Sequence, residues 1–275
     1  MIPSPPLLRI ACLLAGLWLL ALTGCRAEGV AEPTTDLTVF AAASLTDAFT
    51  DVAARFEAAH PGARVTLNFA GSQQLAQQIA QGAPGDVFAS ANEAQMAAAI
   101  TNGRVDADAP RPFARNRLAV IIPEDNPAGL HMLADLGRAG VKVILAAPGV
   151  PAGRYARDFL ARASEEGALG ADFAAAVMRN VVSYEQNVRV VLTKVALGEA
   201  DAGIVYASDT HNSPEPVNLL PIPNALNPIA SYPVAPLNDS PHPQLAAAFI
   251  AYLLSPVGQA VLGQYGFLPP TTTVP

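Results

Sequence analysis

From Leu37 onward, short apolar runs rich in Val, Ile, Leu and Phe alternate with Ala-rich stretches whose apolar residues recur at spacings of three and four. That alternation of a two-residue period with a helical one restricts the chain to an α/β architecture with mixed, mostly parallel sheets flanked by helices. The first unit is a strand over 37–42, then a helix whose apolar face is Leu45, Ala48, Phe49, Val52 and Phe56. Further strands are expected at 64–70, 86–90, 118–123, 141–146 and 202–206, with a strand-like piece at Val181-Val182. Helices are expected at 93–100, from the Pro/Gly-rich turn at 148–153 to about Ala163, at 187–197, and at 244–254 and 257–265, the last stopped by Gly266. Proline punctuation at Pro110-Arg111-Pro112 marks where a second set of elements begins. The reading is two lobes, residues 36–114 plus 231–275 and residues 115–230, joined by two chain crossings that form a two-strand hinge.

The N-terminus reads as an export signal. Arg9 precedes an uncharged apolar run from Ile10 to Leu22 that ends in Leu22-Thr23-Gly24-Cys25. Such a run is too short for a spanning helix, which needs roughly 20 apolar residues, and suits a signal-peptide core of about 7–15. A Leu, two small residues and a Cys resemble a lipoprotein cleavage site, so residues 1–24 are expected to be removed and Cys25 to carry lipid on the outer face of the cytoplasmic membrane. Residues 25–36 then form a tether without periodicity.

Several chemistries are disfavoured by the residues present. With 16 basic and 23 acidic residues the net charge is −7, which opposes nucleic-acid binding. Cys12 leaves with the signal, so Cys25 has no partner for a disulfide, and His60, His131, His211 and His242 lack metal-ligand spacing. No G-x-S-x-G elbow, H-E-x-x-H pair or phosphate-loop lysine is present. No heptad or repeat asks for an oligomer, so a monomer is expected.

The informative positions are three strand-to-helix junctions: Ala42-Ala43-Ser44, Ala70-Gly71-Ser72 and Pro148-Gly149-Val150-Pro151-Ala152-Gly153. Small residues there let a ligand approach the first-turn N–H groups, which have no intrahelical partner and lie at the positive end of the helix dipole. Such sites take anions. The competing reading is that Ser44, with Asp47 three residues on, and Ser72 only cap their own helices.

At these residues the chain resembles the molybdate-binding proteins of bacterial ABC importers, a family with a two-lobe periplasmic-binding-protein fold. The resemblance is carried by Thr38–Thr46, by Phe69–Ser72 with Gln77–Phe88, by Val150–Ala156, and by Asn187–Arg189 with Gly203–Asp209. It implies an oxyanion, molybdate or tungstate, held by the hydroxyls of Ser44, Ser72 and Tyr206 and the backbone N–H groups of Ala152 and Val188. No cofactor and no direct metal-ion ligand is implied; the partner would be a membrane permease with its cytoplasmic ATPase. Gly71, Gln73 and Gln74 stand where the family is richer in serine, so the rim of the second loop should differ. Arg154 and Arg189 adjoin the implied contacts and are read as outward-facing. A sulfate or other-solute binder on the same fold, an exported hydrolase, and a ferric-ion binder using Tyr184 and Tyr206 are the alternatives.

Overall fold

The computed structural model describes residues 34–165, 168–211, 213 and 215–270. Cys25 and the apolar run before it lie outside the described residues. Strand β1 (Thr35–Ala42) already begins at Thr35, inside the segment read as tether. Its pairing with β2 (Ala63–Ala70) starts at Thr35 against Ala63, and that ladder fixes the backbone earlier than the apolar pattern suggests.

Two five-stranded mixed sheets organise the chain. In the first, the order is β2, β1, β3 (Val87–Ala89), β10 (Ala230–Pro236), β4 (Arg111–Asn116). In the second, it is β7 (Val181–Glu185), β6 (Val143–Ala146), β8 (Ala202–Tyr206), β5 (Leu118–Pro123), β9 (Val217–Leu220). Each sheet has two parallel and two antiparallel ladders.

The helices are α1 (Thr46–Ala59), α2 (Ser72–Ala80), α3 (Glu93–Thr101), α4 (Pro151–Glu165), α5 (Phe173–Arg179), α6 (Val188–Ala196), α7 (Pro243–Leu254) and α8 (Pro256–Gln264). They cover both faces of the first sheet, which explains why β1 is apolar on both sides. Leu37, Val39 and Ala41 join the large core with Phe49 and Phe56 of α1, whereas Phe40 packs on the opposite face with Leu75, Ile79, Phe88 and Met96. Gly266 follows α8 with φ +80°, the left-handed backbone expected of a helix terminator.

The polypeptide passes between the sheets twice, through Arg117 between β4 and β5, and between β9 and β10. Asn227 fastens the second passage to the first: its Oδ1 accepts from the Leu118 N–H at 2.9 Å, and its Nδ2 donates to the Leu118 carbonyl at 2.9 Å. Strand β4 is the element that the proline punctuation concealed. Pro112 is tolerated because β4 lies at the sheet edge, beside a register irregularity opposite Pro233.

Candidate functional site

The carboxyl ends of β1 and β2 and the loop after β6 point into the gap between the sheets, and three helices start there. Ser72 and Val188 are the first residues of α2 and α6, and Ala152 is the second of α4. The three helices thus aim unpartnered N–H groups and positive dipole ends at one place.

All five residues implied by resemblance, Ser44, Ser72, Ala152, Val188 and Tyr206, line one small cavity of about 210 Å³. Each is buried. A cavity of that size is below the 300–1,000 Å³ usual for organic ligands and suits a single compact group. A surface depression of about 1240 Å³ around His60 and His242 is larger, but it holds no comparable set of convergent donors.

Neither serine caps its helix. Ser44 lies in a short 3-10 turn before α1 and makes no cap bond; its Oγ is 3.0 Å from the Tyr232 hydroxyl. Ser72 Oγ accepts from the Ala91 N–H at 3.0 Å, so its own proton is free. The capping expectation fails because each helix starts differently. α1 begins after an extra turn, and α2 is capped at Gly71, whose N–H donates to Gln74 Oε1 at 3.2 Å.

In α6 the cap is Asn187, whose side chain accepts from the Val190 N–H at 3.1 Å and leaves that of Val188 unused by the cap. Gly153 is required by packing: a Cβ there would lie 2.2 Å from the Ala147 carbonyl oxygen.

Among the described residues the Tyr206 hydroxyl is buried without a hydrogen-bond partner. Burial raises its pKa well above the ordinary phenol range, the neighbouring Tyr232 adds to the rise, and Tyr206 therefore stays a protonated donor. A buried hydroxyl left unpaired costs about 1–3 kcal/mol, a penalty relieved by any acceptor that enters the cavity.

No Lys, Arg, Asp or Glu lines the cavity. Nearby charge is held behind it. The Asp209 carboxylate accepts from the Tyr206 N–H at 3.0 Å, and burial raises its pKa to about 7 despite Arg189 Nη1 at 4.0 Å.

Arg189 is not outward-facing. Its Nη2 bonds both carboxylate oxygens of Asp47, at 2.9 and 3.1 Å, tying α6 to α1 across the gap. The arginine looked solvated from sequence because its partner is remote in the chain; Arg154, by contrast, is exposed.

Three more hydrogen bonds close the rim. Gln73 Nε2 donates to the Gln186 carbonyl at 2.9 Å, Gln74 Nε2 to Gln186 Oε1 at 2.9 Å, and Gln95 Nε2 to the Gly149 carbonyl at 3.3 Å. The residues that depart from the serine-rich rim therefore bridge the two sides. Tyr184 lies half-exposed under the Arg157 guanidinium, 5.4 Å from the ring centre, and does not line the cavity.

The profile of the family described as "Bacterial extracellular solute-binding protein" matches residues 37–268. The chain belongs to this family. Within it, the chain is 38% identical over 242 residues to the molybdate-binding protein ModA of Mycobacterium tuberculosis, covering 88% of each chain. Among solved structures it resembles the substrate-binding domain of a putative molybdenum ABC transporter from Clostridium difficile. There the TM-score is 0.63 at 28% identity, with 85% of this chain and 98% of that one covered. The sulfate-binding protein SubI of M. tuberculosis shares the fold, with a TM-score of 0.77 at 22% identity over 86% and 88% of the two chains. The family's description makes its members solute-binding proteins that act outside the cytoplasm.

Proposed function

We propose that the protein captures molybdate, and also tungstate, in the Ser44–Ser72–Ala152–Val188–Tyr206 cavity and delivers it to a membrane ABC importer. The observation that carries this reading is a small buried cavity ringed by neutral donors, one of them the unpaired Tyr206 hydroxyl. A dianion that offers only acceptors satisfies such donors, and the three helix termini stabilise its charge without a counter-ion. The likeness to ModA directs the choice among such anions. Residues 36–114 plus 231–275 and residues 115–230 act as two lobes that part and close about the paired crossings at Arg117 and Asn227. The mature chain is held as a monomer at the membrane surface by lipid on Cys25, where each buried CH₂ contributes about 0.8 kcal/mol.

Thermal denaturation of the soluble fragment 27–275 with molybdate, tungstate, sulfate and phosphate tests the reading. A ligand at 100 times its Kd stabilises by about 2.7 kcal/mol, which is roughly 5–10 °C in Tm at this size. Shifts of that order for molybdate and tungstate, with little for the others, are expected. A shift only for sulfate would reassign the cargo, and no shift for any oxyanion would remove the site.

A further inference from the structure

Arg189 faces two carboxylates that belong to different sides of the gap. Its Nη2 holds both oxygens of Asp47, at 2.9 and 3.1 Å, while Nη1 lies 4.0 Å from Asp209 Oδ1, outside hydrogen-bonding range. Asp209 is fully buried, and its other oxygen accepts from the Tyr206 N–H. Among the described residues Oδ1 has no hydrogen-bond partner. A buried carboxylate oxygen left unpaired is costly, and burial raises the pKa of Asp209 to about 7 in spite of the arginine. The guanidinium thus serves the partly exposed Asp47 while the buried acid beside it goes without.

Asp209 and Arg189 share one rigid unit. Asp209 sits in the 3-10 turn Ala207–Thr210 directly after β8, and α6 packs straight onto β8: a Cβ at Gly203 would lie 2.8 Å from Val191 and 2.9 Å from Val195. Asp47, in the first turn of α1, belongs to the other sheet. Asp47 keeps a favourable helix N-terminus when Arg189 departs, whereas Arg189, the second residue of α6, is a cation at the positive end of its own helix and needs a carboxylate. Reaching Asp209 takes a side-chain shift of about 1.2 Å, from 4.0 Å to the roughly 2.7–2.9 Å of a charged hydrogen bond.

We infer that Arg189 changes partner as the lobes move, bonding Asp209 when they are apart and Asp47 when they close, so that both acids set oxyanion affinity as positioning residues. Neither lines the cavity. The Arg189–Asp209 pair favours the open, loading state, and closure on the oxyanion must break it, so removing that pair lifts a cost from binding.

This exchange rests on the oxyanion cavity and the two-lobe motion proposed above, and two readouts separate their failures. Fragment 27–275 keeps every described residue and contains no cysteine. Thr50→Cys and Thr193→Cys, on exposed positions of α1 and α6, therefore carry the only spin labels. The distance between them without ligand, and molybdate affinity, are measured at pH 8 for the labelled parent, Asp209→Asn, Asp47→Asn, Arg189→Met and both acid variants in the Arg189→Met background. Asparagine keeps an acceptor for the Tyr206 N–H but loses the charge that attracts Arg189.

Asp209→Asn should tighten molybdate roughly tenfold, the worth of one charged hydrogen bond, and should raise the ligand-free ratio of closed to open distances by the same factor. Asp47→Asn should weaken molybdate about 2- to 5-fold, as befits a partly exposed pair. In the Arg189→Met background neither substitution should change affinity. A ligand-free distance distribution that Asp209→Asn leaves unaltered would overturn the inference whatever the affinity does, as would effects of either acid that persist without the arginine. A parent protein that binds no molybdate would instead refute the cavity, and one whose labels stay at a single distance with and without molybdate would refute the lobe motion.

Discussion

Gly71→Ala separates ligand closure from fold stability. The Gly71 backbone, φ −59° and ψ 136°, is one that alanine adopts without strain, so within the loop the substitution only displaces the flexible Gln73 side chain, whose amide would lie 2.6 Å from the new Cβ, and restricts the unfolded chain slightly. Across the gap the outcome differs, since the new Cβ would lie 2.5 Å from the Gln186 carbonyl oxygen. Ordinary contact begins at 3.4 Å, so the two sides must part by about 0.9 Å to relieve the overlap.

That separation stretches the Gln73 and Gln74 bonds to Gln186 from 2.9 Å beyond hydrogen-bonding range. Each contributes about 0.5–1.5 kcal/mol. The combined loss of roughly 1–3 kcal/mol is a 5- to 150-fold weaker oxyanion affinity. Calorimetric titration with molybdate beside melting curves without ligand measures both quantities. Weaker binding with an unchanged ligand-free Tm is expected. Unchanged affinity would mean that the bound state does not bring Gln186 onto Gly71, and a lower ligand-free Tm would make the glycine a requirement of the lobe itself.

Gly153→Ala should behave in the opposite way, because its Cβ would strike the Ala146 and Ala147 carbonyl oxygens of the same side. Overpacking of about 1–3 kcal/mol lowers the ligand-free Tm by roughly 3–10 °C in a melting scan. Tyr206→Phe removes the unpaired hydroxyl; molybdate affinity should fall about 10- to 150-fold, the worth of a hydrogen bond to a charged group, while the melt without ligand rises or holds.

Asp209 supplies a pH dependence. Its folded pKa, raised to about 7, exceeds the unfolded value of about 3.9. The folded chain therefore holds the proton more tightly. The associated stability is fully present below about pH 4 and is lost as pH rises to about 7, to the extent of roughly 4 kcal/mol. Urea unfolding of Asp209→Asn between pH 4 and 7 should lack this slope.

The junction residues were legible in the sequence because each combines a small side chain with a strand end, and the elements around them follow from apolar spacing. Strand β4 was hidden by Pro112 and β9 by its brevity, and neither has a local signal. Helix α5, with seven residues, falls below the length at which periodicity speaks. Pairings made by tertiary approach left no trace: Arg189 with Asp47, the Gln186 carbonyl with Gly71, and Asn116 with Tyr232 each join residues more than 100 apart in the chain. Ser44 was ambiguous for the same reason, since the choice between helix cap and cavity donor is made by Tyr232 and not by its neighbours.

The central claim is best tested by a crystal structure of the protein grown with tungstate, using anomalous scattering to locate the metal. The account predicts one tungsten centred between Ser44, Ser72, Ala152, Val188 and Tyr206, its oxygens about 2.7–3.1 Å from the three hydroxyls and two N–H groups. Tungsten elsewhere, with this cavity empty, would contradict it.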